Sequence, residues 1–388
     1  MSLKPSRGEE DQGILVRLHP AADELELTAS ESGAVTVRAP TGPVGPGYHT
    51  YVGALVHRMG ADLDIDWTAA DPAAGLDDGG YLASAARADA ERHLLVWLHE
   101  TLARAKALRT KDRPALQLAG VEGERFAFDA AIATALGPRD EAWLDKAISD
   151  PRVAIEAWPW WADATDGRYL LNRALCLMWT EVRWRPPATE AEIVLLDEIL
   201  RLLRKAFPFD PSLPYPWAAW QEILKLRGAN EPMAAQIASR AKAEPDAPLI
   251  GYRRGPVTIT QGGWSLVVPG SFTTSRTADE WSGAEAGRMI TLAAAETGGD
   301  GGSMSAEAFL ERVAYHLGGD VLKHRDGPVV GKARIVVDAS TGVEVAVLDG
   351  YSAIAGSCAA IRIEIHDPDD WGWATDMWRS LKPAPATR

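Results

Sequence analysis

Hydrophobic and polar positions alternate with a period of two near the N-terminus and again in the last third of the chain. Alternation of this kind is typical of strands that bury one face. Near the N-terminus it covers 14–18, 24–28 and 34–38. Later strand patterns lie at 257–260, 264–268, 288–295, 329–337, 343–351 and 358–365. The pattern therefore predicts strand-rich segments towards both ends of the chain.

The middle of the chain follows the helical period instead. A helix is predicted over about 48–59, followed by a short strand at 62–67 where acidic and apolar residues alternate. Thr189 with Glu192 forms a capping box, and Gly228 follows a helix end. Further helices are predicted at about 81–108, 124–136, 138–149, 167–184, 189–206, 216–227 and 232–243. This part of the chain is predicted to be mostly helical.

These patterns together predict an α+β protein. A strand-rich segment (1–70) leads into a mostly helical domain (71–244). A C-terminal domain (249–388) follows, with a mostly antiparallel sheet and two helices near 305–317 and 370–381. The predicted boundary at 242–248 is short, polar and contains two prolines, as linkers between domains often do.

The C-terminal third has a recognisable order of elements, β-β-β-α-β-β-β-α. It opens on Gly-Trp-Ser-Leu-Val-Val-Pro at 263–269 and closes on Trp-Arg-Ser-Leu-Lys-Pro at 378–383. In these features, residues 250–385 resemble the PsbP-like α/β/α sandwich family. The resemblance implies a protein-binding module rather than an enzyme, and some bacterial members of the family look like chaperones for secreted toxins. It transfers no binding residue to this chain, and it does not extend to residues 1–249.

Charge narrows the classes of partner. The 388 residues carry 40 Lys and Arg against 54 Asp and Glu, a formal net charge of −14. Without a basic stripe, such a chain is repelled by the phosphate backbone, so no nucleic-acid partner is expected. An acidic surface favours a basic protein partner. No apolar run approaches the roughly 20 residues that span a bilayer, so no membrane insertion is expected.

Cysteine use and the N-terminus bear on the compartment. Cys176 and Cys358 are the only cysteines and form neither a disulfide framework nor a zinc motif. The first 13 residues are polar and lack the apolar core of a signal peptide. A cytoplasmic protein is expected, and the prior removal of a leader peptide is the alternative left open.

Tryptophan is the most unusual component. Seven of the 15 tryptophans lie between positions 158 and 220, with arginines nearby in sequence. Tryptophan and arginine dominate the centres of protein interfaces, which predicts a binding surface here. A sugar-binding platform is a second functional interpretation, and packing between helices is favoured over both because large aromatic residues are mostly buried. The interface hypothesis names Trp158, Trp160, Trp161, Arg168, Trp184 and Arg185.

The sequence offers few candidates for catalytic or metal-binding residues. Asp62, Asp64 and Asp66 resemble the start of a calcium loop but lack its glycine and its final glutamate. His49 lies beside a glycine-rich turn, where an imidazole could border a pocket, but an ordinary histidine at a helix start is the favoured interpretation. Asp77 opens a turn before a helix. No catalytic residue, metal site or cofactor is predicted.

The preferred function is therefore non-catalytic protein binding, most concretely as an immunity protein or a chaperone or adaptor for a bacterial secreted toxin. One alternative is a hydrolase, and another is a structural component of a larger assembly. The oligomeric state and the identity of the partner stay open. The hydrolase would use the acids nearest the tryptophans, which are Glu156, Asp163, Asp166 and Glu181.

Overall fold

A computed structural model describes residues 2–7, 12–30, 33–69, 77, 80–108, 116–117, 123–128, 130–162, 164–244, 249–296, 304–318, 320–338 and 344–384. It confirms the α+β class. The chain forms two compact units. The N-terminal unit contains 1–120, 128–182 and 189–251, and the C-terminal unit contains 121–127, 183–188 and 252–388. Residues 245–248 of the predicted linker lie outside the described residues.

The strands and helices are numbered here in chain order. The strands are β1 Ser2–Arg7, β2 Gln12–Arg17, β3 Leu25–Ala29, β4 Val35–Arg38, β5 Leu116–Gln117, β6 Glu124–Phe126, β7 Ile132–Thr134, β8 Gly137–Arg139, β9 Pro256–Gln261, β10 Trp264–Pro269, β11 Thr273–Arg276, β12 Glu280–Glu285, β13 Arg288–Glu296, β14 Leu322–Asp326, β15 Val329–Asp338, β16 Val345–Ile354, β17 Ser357–Ile365 and β18 Lys382–Pro383. The helices are α1 Pro46–Leu63, α2 Tyr81–Ser84, α3 Arg87–Leu108, α4 Glu141–Ser149, α5 Gly167–Thr180, α6 Glu190–Phe209, α7 Trp217–Arg227, α8 Ala234–Ala243, α9 Ala306–Val313 and α10 Trp371–Arg379.

An antiparallel sheet in the order β1-β2-β3-β4 opens the N-terminal unit. Its apolar face packs on α1, because Val16 and Leu25 of the sheet share one buried cluster with Val52 and Val56 of the helix. The three predicted N-terminal strands are confirmed as β2, β3 and β4. Pro46 occupies the first turn of α1, where its missing N–H removes no helical hydrogen bond.

Two local predictions in this unit are wrong. Residues 62–67 form no strand, because α1 continues to Leu63 and ends at Asp64 in the left-handed conformation (φ 54°). The alternating acids there lie mostly exposed to solvent. Residues 124–136 form no helix, because β6 and β7 occupy them. β6 pairs with β9, a strand more than a hundred residues away, which a local pattern cannot reveal.

A buried histidine lies within the core of the N-terminal unit. His19 is 1% exposed, and its ring centroid lies 6.0 Å from that of Tyr48 and 6.3 Å from that of Trp160. Its Nδ1 accepts the N–H of Ala21 (3.1 Å). Burial, with a smaller contribution from the charge of Arg173, lowers the pKa of His19 from 6.5 to about 3. The folded protein therefore keeps this imidazole neutral in mildly acidic solution.

This burial predicts an acid-sensitive stability. Between pH 6.5 and 3, His19 binds a proton in the unfolded chain but not in the folded chain. The free energy of unfolding therefore falls as the pH falls. The expected slope from this group is about 1.4 kcal/mol per pH unit. Urea unfolding at pH 7, 6, 5 and 4 should show this slope reduced in His19→Asn, whose side-chain oxygen can still accept from Ala21. The exposed His57→Asn is the matched control, and equal slopes in all three proteins would contradict the assignment.

The C-terminal unit is built on a seven-stranded antiparallel sheet in the order β11-β12-β13-β17-β16-β15-β14. Phe309 and Leu310 of α9 pack with Val330 and Cys358 on one face. Trp378 of α10 packs over Gly331 on the other. Because successive side chains of a strand point to opposite faces, the two helices cover opposite sides of the sheet. A second sheet, in the order β18-β10-β9-β6, completes the unit.

Each unit contains one free cysteine in its core. Cys176 lies in α5 and is 1% exposed, while Cys358 lies in β17 and is 4% exposed. Burial raises the pKa of both thiols, that of Cys358 to about 12. Within the described ranges, no helix is long and apolar enough to cross a membrane.

Candidate functional site

A chain of three hydrogen-bonded side chains lies at the start of α1. Thr41 is in the turn before the helix, His49 is in its first turns, and Asp77 lies just before α2. Thr41 Oγ1 lies 2.8 Å from His49 Nδ1, and His49 Nε2 lies 2.8 Å from Asp77 Oδ2. The side chains of His49 and Asp77 are 12% and 11% exposed. The structure thus brings together a hydroxyl, an imidazole and a carboxylate.

The donors and acceptors in this chain follow from its carboxylate end. Asp77 accepts the backbone N–H groups of Tyr81 and Leu82, each at 2.9 Å, which fixes both of its oxygens. An ionised carboxylate can only accept, so Nε2 of His49 carries the proton. In the neutral imidazole Nδ1 then carries a lone pair, which accepts the Thr41 hydroxyl proton in a hydrogen bond. This polarity is the one needed for a base to take a proton from a hydroxyl.

The turn that carries Thr41 is fixed independently of this chain. The Thr41 carbonyl accepts the N–H groups of Val44 (3.1 Å) and Gly45 (3.3 Å). The next carbonyl, of Gly42, accepts Trp158 Nε1 at 2.9 Å. A Cβ at position 42 would lie 3.1 Å from the Trp97 ring, so glycine allows the close approach. The hydroxyl is therefore not needed to hold the turn.

The predicted tryptophan surface is corrected in part. Trp158 is 3% exposed and Trp160 is 6% exposed, and they belong to two separate core clusters. Trp160 packs on Tyr169 with ring centroids 4.4 Å apart. Rings buried in this way fill the core and are not available to a partner. The packing interpretation therefore holds for these two residues.

The other members of the predicted set are spread over both units. Trp161 is half-buried and stacks on Trp158, with centroids 5.5 Å apart, and Arg168 lies exposed on α5. Trp184 and Arg185 belong to the C-terminal unit. The six residues therefore do not form one patch within a single unit.

Trp184 and Arg185 hold a chain segment to the C-terminal unit. Arg185 Nε donates to the carbonyl of Ser271 (3.1 Å), and its Nη2 donates to Thr273 Oγ1 (2.7 Å). The Arg254 guanidinium lies 3.5 Å from the centre of the Trp184 ring, a cation–π contact. These contacts give both side chains a structural role within the unit.

The acids suggested for a hydrolase have structural partners. Asp166 accepts the N–H of Tyr169 (2.8 Å) as the N-cap of α5. Glu156 accepts Trp143 Nε1 (2.9 Å). Glu181 pairs with Arg17 (3.1 Å), and Asp163 lies outside the described residues. Across the described ranges, no three His, Cys, Asp or Glu side chains are grouped so that they could hold a metal ion.

The outer edge of β4 is a second candidate site. Ser30 N–H donates to Ala34 O (2.9 Å), and the register pairs Thr28 with Thr36. In an antiparallel pair, alternate residues bond to the neighbouring strand. Ala34 and Thr36 therefore bond towards β3, while the backbone groups of Val35 and Val37 point outward. Within the described residues, the sheet ends at this strand.

The side chains beside this edge are apolar and partly exposed. Val37 lies opposite Leu27, and Leu27 opposite Ile14, in one row on the core-facing side of the sheet. Val35 extends this face towards the hairpin, and it is 39% exposed, while Ile14 is 49% exposed. Natural sheet edges are usually protected by charge, as in β14 with Lys323, Arg325 and Asp326. Among the described residues of β4, the two on its apolar face, Val35 and Val37, carry no charge.

Comparison with known proteins places the chain in no family. No family model matches it, and no curated protein matches it. A protein of Bacteroides thetaiotaomicron VPI-5482, solved at 1.50 Å, is similar to part of it with a TM-score of 0.29 and 8% identity. That similarity covers 34% of this chain and about half (49%) of the other, and it supports no statement about the fold. The resemblance to PsbP-like proteins accordingly stays a prediction.

Proposed function

We propose that this protein binds another protein by adding one of the partner's strands to the edge of β4. The observation that carries the proposal is the outward-facing backbone of Val35 and Val37 beside partly exposed apolar side chains. Strand addition obtains affinity from backbone hydrogen bonds and specificity from alternate side chains. An apolar edge with outward-facing backbone groups supplies both.

The proposed partner presents an extended segment with apolar side chains at alternate positions. Those side chains would continue the row formed by Ile14, Leu27 and Val37. The chain's net charge of −14 favours a partner with a basic surface, because complementary charge speeds association and suppresses wrong partners. The proposal agrees with the function expected from the sequence, which is that of an immunity protein or of a chaperone or adaptor for a secreted toxin.

Val35→Lys is expected to weaken the partner complex by about 100-fold, because the ammonium group would be desolvated on the apolar face of the new strand pair. The partner is first isolated from the native host by affinity capture and mass spectrometry, and its affinity is then measured with purified proteins. Thr36→Lys is the matched control. It adds the same charge to the neighbouring exposed residue, whose side chain points to the opposite face, and it should change the affinity by less than about threefold.

Amide hydrogen exchange locates the interface directly. In the complex, the N–H groups of Val35 and Val37 should exchange more slowly than in the free protein, since they gain acceptors. Capture of no stoichiometric partner would contradict the proposal. So would a partner that Val35→Lys and the wild type bind equally well.

A further inference from the structure

The turn before α1 holds the parts of an acyl-transfer site, independently of the β4 edge. We propose that Thr41 is a nucleophile that takes acyl groups from carboxylic esters, with His49 as its general base and Asp77 as the positioning residue. The two 2.8 Å hydrogen bonds join these groups in the order hydroxyl, imidazole, carboxylate. A nucleophile bonded to a base that a third group orients is the recurring arrangement of covalent hydrolases.

The order of donors and acceptors along Thr41, His49 and Asp77 supports this assignment over a simple structural contact. Asp77 is held by two backbone N–H groups, so it presents a fixed carboxylate to Nε2. That contact leaves Nδ1 free to accept the Thr41 proton. His49 uses Nδ1 where many hydrolases use Nε2, but the roles of the two nitrogens are set by what each one contacts. Thr41 itself is half-buried, so part of this residue faces solvent.

The same turn offers a donor for the developing oxyanion. Among the described residues, the N–H of Gly42 has no hydrogen-bond acceptor. In many hydrolases the N–H of the residue after the nucleophile stabilises the tetrahedral intermediate. The Gly42 peptide is held in place, because its carbonyl accepts Trp158 Nε1 and its Cα lies against Trp97.

The proposed reaction conserves atoms and charge. Thr41 Oγ bonds to the ester carbonyl carbon while its proton passes to His49 Nδ1. The tetrahedral intermediate then loses its alkoxide, which takes that proton and leaves as an alcohol, and Thr41 remains as an acyl ester. Water attacks this ester, again giving a proton to Nδ1, and the proton returns to Thr41 Oγ as the carboxylic acid leaves.

The direct test uses the full-length protein with p-nitrophenyl acetate and a fluorophosphonate probe. We expect release of p-nitrophenolate, a probe adduct of one-to-one stoichiometry, and peptide mapping of the adduct to Thr41. Thr41→Ala should lose the adduct, and Thr41→Ser should retain it. His49→Ala should slow acylation by about 100-fold or more. His57→Ala, on the exposed part of the same helix, is the matched control and should react like the wild type.

Two further experiments separate chemistry from folding. Free imidazole should restore acylation to His49→Ala, which a purely structural histidine would not show. Asp77→Asn keeps an oxygen that can accept a backbone N–H, so it should lower kcat by about tenfold or more with little change in KM. A wild-type protein that forms no adduct at Thr41, or an adduct that persists in Thr41→Ala, would overturn the proposal. An unchanged rate in His49→Ala would overturn it as well.

Discussion

Replacing Arg253 with methionine is expected to lower the free energy of unfolding of the C-terminal unit by about 3–5 kcal/mol. Arg253 Nη2 lies 2.8 Å from Glu124 Oε2, and the two side chains are only 2% and 4% exposed. The hydroxyl of Tyr252 also donates to this carboxylate at 2.8 Å. Methionine fills similar space but removes the Arg253 cation from the buried Glu124 carboxylate. Urea unfolding followed by tryptophan fluorescence measures the loss.

Two comparisons test the cause. The double variant Arg253→Met, Glu124→Gln should recover much of the loss, since no uncompensated charge remains buried. Arg362→Met removes an exposed arginine (46%) that pairs with Asp349 and Glu364, and it should cost less than about 1 kcal/mol. If Arg253→Met were no more destabilising than Arg362→Met, the buried pair would not be the reason.

Replacing Trp378 with alanine is also expected to cost about 3–5 kcal/mol. Its ring is fully buried between α10 and the seven-stranded sheet. The fit depends on two glycines, because a Cβ at Gly331 would lie 2.9 Å from the ring and one at Gly350 would lie 2.7 Å from it. The two glycines have no side chains that could fill the space, so a cavity would remain beside them. The loss is measured as the shift in the urea unfolding transition of the C-terminal unit.

Trp371→Ala provides the control on the same helix. Trp371 begins α10 and is only half-buried, so its removal should cost no more than about half as much. Gly350→Ala should also destabilise the unit, because the added methyl group would crowd the Trp378 ring. The expected loss in the free energy of unfolding is about 1–3 kcal/mol. Equal losses for Trp378→Ala and Trp371→Ala would mean that packing of Trp378 against Gly331 and Gly350 contributes little to the stability of the unit.

The helices α6 and α7 could be predicted because their signals are local. Thr189 accepts the N–H of Glu192 (3.3 Å) as the predicted N-cap, and Gly228 adopts the left-handed conformation after α7. The polar strands β11, β12 and β14 were not predicted, because none has a clean alternation of apolar residues. Strands at or near a sheet edge bury less apolar surface, so their sequence pattern is weak.

The candidate sites were harder to predict for a different reason. His49 and Asp77 are separated by 28 residues with no motif between them, and only the fold of α1 and α2 brings them into contact. The tryptophans gave the strongest compositional signal, yet Trp158 and Trp160 are core residues. Composition reports how much aromatic surface a chain has, whereas exposure is decided by packing with distant residues such as Tyr48.

The two cysteines give this protein a built-in reporter for each compact unit. Thiolates react with alkylating agents and thiols do not, so burial with a raised pKa protects Cys176 and Cys358 while their surroundings stay folded. Modification of one thiol requires opening of the N-terminal unit around α5, and modification of the other requires opening around β17. The rates of alkylation at the two positions therefore report the local opening of each unit separately, and no cysteine has to be engineered.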